Sequence, residues 1–259
     1  MPKLILVSGW ATPKDALTRF SRELSKNYEI IPLLIEDLIE NPPHRKENNS
    51  LSIYASNLFK IMNESKDFCF LMGWSMGGMI ALEVAHHFPE KILGLILVST
   101  SPSFCRRDDF PHGFPEANVR ALSLAIRNDP QSALLGFYRK VCRPHPTTNE
   151  REENWLKEVL KGSAPSLHQG LDYLIRTDLR HRIHQLNIPS LIIHGRQDAI
   201  IPWQAGEWLA ENLPHSSIEL SEVDGHDLPI RKPSWIIQKL EFFNSKISLD
   251  NRRRQTLLK

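Results

Sequence analysis

Ser75 stands in the run Gly73-Trp74-Ser75-Met76-Gly77-Gly78, directly after the apolar stretch Phe68-Cys69-Phe70-Leu71-Met72. The segment after it, Met79 to Phe88, has helical character. Small residues two before and two after a serine relieve crowding in a tight strand-to-helix turn, the setting in which a serine hydroxyl is held out as a nucleophile. A hydroxyl attacks a carbonyl only with a base to take its proton, and the base needs an acid to orient it. "SLIIHGRQDAIIP" places Asp198 just past a strand, and "SIELSEVDGHDLP" places His226 just past another. The chain order Ser75, Asp198, His226 is that of nucleophilic acyl transfer on an open α/β sheet.

Other readings of these residues stand beside this one. Asp198 also has the position of a turn cap, and Asp224 and Asp227 lie nearer to His226 in sequence, Asp224 being the alternative acid. His86 and His87 close the helix after the serine, and His194 ends a strand; all three read as structural. An acyl-transfer site also needs donors for the oxyanion. The backbone N–H of Met76, next after the serine, is one candidate. The N–H of Trp10, in the loop "SGWAT" after the first strand, is the other, and its indole could wall a pocket.

The elements that must position these groups are short apolar runs alternating with amphipathic helices, the pattern of an α/β, mostly parallel sheet with helices on both faces. Strands are predicted at 3–8, 28–35, 68–73, 92–99, 190–195 and 217–222. Helices are predicted at 15–26, at 51–62 with Ser50 as its cap, from the serine turn to about Phe88, and at 234–246. Between Ser101 and Asn187 the alternation fails. Helical segments around 116–127, 131–142, 151–162 and 166–177 replace it, which predicts a core of residues 1–100 and 188–259 carrying a helical lid insertion, 101–187. The tail "NRRRQTLLK" reads as frayed.

The 259 residues carry a formal net charge of +2, which gives no general attraction to nucleic acid. No apolar run is long enough to span a bilayer, and the N-terminal ten residues lack the core of a secretion signal. Three cysteines without metal-type spacing, Cys69 among them in an apolar run, predict a cytoplasmic protein with reduced thiols, no metal and no cofactor. A monomer is the favoured state. Residues 101–187 hold 13 Lys and Arg against 10 Asp and Glu. The basic residues cluster at Arg106 and Arg107, and at Arg139, Lys140 and Arg143, the latter three predicted on one helix. Such a cluster either docks an acidic partner or is a solvated face.

"SGWAT", "GWSMGG", "HGRQDAIIP" and "DGHDLP" together resemble the α/β-hydrolase fold over nearly the whole chain. More narrowly, "LVSTSPSFCRRDDFP" (97–111), "GLDYLIRTDLRHRIHQLNIPSLIIHG" (170–195) and the "GWSMGG" elbow resemble the pimeloyl-[acyl-carrier protein] methyl ester esterases of biotin synthesis. That resemblance implies a Ser-His-Asp acyl-enzyme mechanism, oxyanion donors at Trp10 and Met76, and an acyl-binding stretch Phe137, Tyr138, Arg139, Lys140, Val141. It also implies an acyl-carrier protein as substrate carrier; carrier proteins are acidic, so the basic cluster Arg139, Lys140 and Arg143 is the candidate docking site. The sequence departs from that family at Ser8, where a histidine is usual, and in the glycine-free loop 36–49, which edges the site in relatives. A general short-chain carboxylesterase without a carrier protein is the alternative, and within the fold a C–C bond hydrolase or lyase. A ligand-binding receptor without turnover is an alternative of another class.

Overall fold

The computed structural model describes residues 1–39, 51–64 and 67–257, with side chains through residue 247. Ser50, the expected helix cap, and residues 40–49 of the glycine-free loop lie outside the described residues. Six parallel strands form one sheet: β1 (Lys3–Val7), β2 (Glu29–Leu33), β3 (Cys69–Trp74), β4 (Ile92–Val98), β5 (Ser190–Gly195) and β6 (Ser216–Ser221). Their order across the sheet is β2-β1-β3-β4-β5-β6. The chain therefore runs outward from β1 to β2, then crosses back to β3 on β1's other side. That reversal opens a crevice at the carboxyl ends of β1 and β3.

Alternation along each strand sorts the core into two layers. Ile5, Val7, Leu71, Leu95, Leu97 and Ile192 face one way. They meet helices α2 (Ile53–Glu64), α3 (Met76–His87) and α8 (Trp203–Asn212) through residues such as Leu58, Val84 and Leu209. Leu4, Leu6, Phe70, Met72, Ile96 and Ile193 face the other way. They meet α1 (Lys14–Leu24), the short α9 (Leu228–Arg231) and α10 (Pro233–Leu257) through Leu17, Phe20, Leu24, Leu228, Ile236 and Leu240. Each such buried side chain contributes about 1.5–3 kcal/mol relative to exposure. A strand covered on both faces reads as a continuous apolar run, and β3 and β5 are buried at every residue.

Between β4 and β5 stand α4 (Glu116–Asn128), α5 (Pro130–Val141), α6 (Asn149–Val159) and α7 (Ala164–Arg176). Side-chain caps delimit three of them: Asp129 accepts from the Ser132 N–H, Thr148 from Arg151 and Ser163 from Ser166. α2 is capped by Ser52, whose hydroxyl accepts from the Ala55 N–H at 3.1 Å. Two expectations need correction. The last helix does not stop near residue 246 but runs to Leu257, because nothing after Pro233 is a glycine or proline and Arg, Gln and Leu are good helix formers. α8 has no counterpart among the predicted helices, because a glycine near its start weakens the helical signal of its sequence. Gly206 is there because a Cβ would lie 2.7 Å from His194 Nδ1. Among the described residues no helix is long and apolar enough to cross a membrane. Cys69, Cys105 and Cys142 are all buried free thiols.

Candidate active site

The turn between β3 and α3 holds Ser75 at φ 55° and ψ −121°, a left-handed conformation that a non-glycine residue keeps only where its surroundings force it. The neighbours explain the glycines. A Cβ at Gly73 would lie 2.3 Å from the Gly77 carbonyl, one at Gly77 2.4 Å from the Ser8 and Val7 carbonyls, and one at Gly78 2.6 Å from the Thr100 side chain. The Ser75 N–H donates to Val98 O at 2.9 Å, and its carbonyl accepts from the Thr100 hydroxyl at 2.6 Å. The hydroxyl is thereby aimed into the crevice.

His226 comes after β6 and brings Nε2 to 3.0 Å from Ser75 Oγ. Its Nδ1 lies 2.8 Å from Asp198 Oδ2. A carboxylate can only accept, so Nδ1 carries the proton and Nε2 is free to accept from the serine hydroxyl. The Asp198 side chain is fully buried, yet it is held ionised. Burial pushes its carboxyl up, but His226, His194 and their hydrogen bonds outweigh this and set it well below the usual carboxylate range. Its Oδ1 accepts the N–H groups of Ile200 and Ile201 at 2.8 and 2.9 Å. The turn-cap reading and the orienting reading of Asp198 thus describe two oxygens of one carboxylate. Asp224 points elsewhere: it accepts from the Ser221 hydroxyl at 2.6 Å and faces His145 Nε2 at 3.3 Å.

Two positioning residues were not legible as such. The Trp74 indole donates to the His226 carbonyl at 3.0 Å, and the tryptophan beside the serine was its only signal. His194, read as packing, is buried with Nε2 3.0 Å from Ile201 O and 3.3 Å from Asp198 Oδ2. His86 and His87 stay at the far end of α3 from Ser75, with Arg182 beside them. Burial and the neighbouring Arg182 lower the His87 pKa.

Ser75 and His226 open onto a cavity of about 720 Å³. Its wall includes Trp10, Phe137, Tyr138, Val141 and Trp155. Trp10 meets Phe137 edge-on at 4.8 Å, and Tyr138 stacks on Trp155 at 4.6 Å. Gly9 packs against the serine, since a Cβ there would lie 3.1 Å from Ser75 Cβ. This brings the Trp10 loop beside Ser75. Met76 is the first residue of α3, where helix geometry leaves N–H groups without intrahelical acceptors. Its side chain is fully buried and does not line the cavity.

The expected basic cluster is not brought together as one free patch. α5 turns Phe137, Tyr138 and Val141 to the cavity and leaves Arg139 and Lys140 off its wall. Arg139 is bound by Glu152 through two hydrogen bonds of 2.9 and 2.6 Å, which hold the Glu152 carboxyl below its usual value. Arg143 lies beyond the end of α5, so it does not continue that helix's face. Its carbonyl instead packs on Gly225, beside His226. Arg107 is also engaged, donating to Ile175 O at 2.8 Å and to Ser103 Oγ at 3.2 Å. At the cavity rim stand Arg151 and Lys157, which the sequence did not single out.

The model of the alpha/beta hydrolase fold matches residues 64–233, more than half of the chain. The chain belongs to the α/β-hydrolase fold family. This α/β hydrolase is 27% identical to a pimeloyl-[acyl-carrier protein] methyl ester esterase of Nitrosomonas europaea, covering 87% of this chain and 88% of that one. It is 26% identical to the protein of the same name from Aeromonas salmonicida, covering 93% and 95%. Among solved structures it is similar to an esterase from Exiguobacterium antarcticum, with a TM-score of 0.80 and 22% identity over 96% of this chain and 92% of that one. A bromoperoxidase from Bacillus anthracis gives a TM-score of 0.83 at 20% identity, over 95% and 92%. At such identities the structural likeness speaks for the fold alone, and the site must speak for the chemistry.

Proposed function

We propose that this α/β hydrolase is a serine carboxylesterase that cleaves the methyl ester of a pimeloyl group carried on acyl-carrier protein, a step of biotin synthesis. The observation that carries the chemical part is the unbroken run of hydrogen bonds from Ser75 through His226 to Asp198 at the wall of an aromatic-lined cavity. The names of the relatives from Nitrosomonas europaea and Aeromonas salmonicida support the substrate.

In this reading Ser75 Oγ attacks the ester carbonyl while His226 Nε2 takes its proton. Asp198 holds the imidazole in the tautomer that leaves Nε2 free and stabilises the imidazolium that forms. The N–H groups of Trp10 and Met76 receive the oxyanion, a contribution on the order of 10²–10³ in rate per donor. His226 returns the proton to the departing methoxide, which leaves as methanol. A water, deprotonated by His226, then attacks the acyl-enzyme; the free acid leaves and Ser75 recovers its proton. Trp10, Phe137, Tyr138, Val141 and Trp155 supply an apolar wall for the acyl chain. Residues 101–187 act as a lid in this reading, and the exposed cations Lys140 and Arg143 on it, rather than Arg139, meet an acidic carrier.

The test pairs two substrates. Purified protein is given methyl-pimeloyl carrier protein and, separately, p-nitrophenyl acetate, and the gene is placed in a strain that needs biotin because it lacks this esterase. The reading expects turnover of both esters, a higher kcat/KM for the carrier substrate, and growth without biotin. Hydrolysis of the small ester alone, with no growth, would return the protein to a general carboxylesterase.

A further inference from the structure

We propose that Gly170 is a positioning residue for the oxyanion hole, because the gap it leaves in α7 seats the Trp10 indole beside the Met76 side chain. The inference rests on the serine esterase reading, in which the N–H groups of Trp10 and Met76 receive the oxyanion.

Leu167, Gly170, Leu171 and Leu174 succeed one another at helical spacing and form the buried face of α7. A glycine inside a helix weakens it, so its presence on that face needs a reason. The reason lies across the contact. A Cβ at Gly170 would come 2.5 Å from Trp10 Cδ1 and 2.9 Å from Trp10 Nε1. It would also lie 3.6 Å from Met76 Sδ. One backbone position on α7 therefore abuts the side chains of both proposed oxyanion residues.

The indole has little room to retreat. Its Nε1 donates to Leu167 O at 2.9 Å, one turn before Gly170 on the same helix. Phe137 of α5 meets it edge-on at 4.8 Å. The next residue, Ala11, sits at φ 52°, so the loop is already in a conformation that tolerates little adjustment. A methyl group at 170 must push the indole, and the indole carries its own backbone N–H with it. Displacing a donor weakens the transition state, where the oxyanion exists, more than the bound ester. The helical segment between β4 and β5 would then tune the chemical step as well as the fit of the substrate.

Gly136 supplies the control. It lies in α5 of the same segment, and a Cβ there meets nothing within 4 Å. The experiment measures kcat and KM for p-nitrophenyl acetate, and Ki for a small trifluoromethyl ketone whose adduct with a serine bears the oxyanion. Gly170→Ala should lower kcat by about tenfold, less than the loss of a whole donor. KM should move by less than about twofold, and Ki should rise by the factor that kcat falls. Gly136→Ala should leave all three at wild-type values.

Wild-type kcat in Gly170→Ala would overturn the proposal. So would an equal loss in Gly136→Ala, or a loss confined to KM. If Gly170→Ala fails to fold, Trp10→Phe alone decides: it loses the bond to Leu167 O and should show the same fall in kcat at constant KM, and wild-type kcat would overturn the proposal. Ser75→Ala is measured alongside. Persistent turnover in that variant would sink the serine esterase reading itself, whatever Gly170→Ala does.

Discussion

The strand ends of the sheet and the helices between β4 and β5 are built on different terms. Ser75, Asp198 and His226 are held by the backbone: a left-handed turn, two N–H groups on one carboxylate oxygen, and a loop tied by the Trp74 indole. Behind them lie strands with residues such as Leu71, Ile96 and Ile192 fully buried. The helices between β4 and β5 instead present side chains to the cavity and keep much of their surface in water. α4 buries only Val119 and Ile126 among its thirteen residues. One region thus fixes the groups proposed to react, while the other offers a wall whose cavity-facing side chains can change without disturbing them, the proposed role of Gly170 behind Trp10 being the exception.

Ser75→Ala should have the largest effect. It should reduce ester turnover on the order of 10⁶, the scale seen when the nucleophile of subtilisin is removed. Its thermal midpoint should stay near wild type, since alanine meets the same conformational demand as serine. Activity assays with a melting curve check both. Next in size, Asp198→Asn should lower kcat by about 10⁴, the scale of the same change in another serine hydrolase. Asp224→Asn should cost far less, because its partners are Ser221 and His145. The reverse ranking in steady-state kinetics would reassign the acid.

A change in the cavity wall should act on binding. Trp155→Ala removes half of the Tyr138–Trp155 stack and should raise KM for a long-chain ester by about tenfold, the factor for roughly 1.4 kcal/mol. It should leave kcat for an acetate ester nearly unchanged. An equal loss of kcat on both esters would mean that the wall and the reacting atoms are not separable.

Stability against pH tests the core from another side. Asp198 has a folded pKa below its unfolded value of about 3.9. Its contribution is therefore present above pH ~4 and is lost as pH falls below it, while the folded carboxylate resists protonation. Denaturant unfolding between pH ~6 and about 2.5 should show a steeper loss of stability in wild type than in Asp198→Asn. Parallel curves would contradict the depressed value.

The smallest effect belongs to the exposed cations. Lys140→Glu with Arg143→Glu should raise KM for a carrier-protein ester a few-fold at low salt and leave p-nitrophenyl acetate unaffected. Added salt should shrink the difference, since exposed charges are screened over about 8–10 Å. Arg139→Glu is a poorer probe, because it places a carboxylate against Glu152.

Whatever depends on neighbours along the chain was legible in the order of the amino acids. Apolar runs and helical spacing marked all six strands and most helices, because those periods are set by backbone geometry within a few residues. The glycines around Ser75 marked a turn that only small residues can make. Ser75, Asp198 and His226 were legible because each comes just after a strand, and parallel strands deliver their ends to one edge of the sheet. The remainder depends on how distant elements pack. Arg139 looked free until α6 brought Glu152 to it, and His194 looked like packing until the turn after β5 folded Asp198 back onto it. Trp10 and Gly170 are 160 residues apart, and no local pattern relates them. Such pairings arise when packed elements meet, so the identity of a partner is fixed by close packing in three dimensions and leaves no period in the chain.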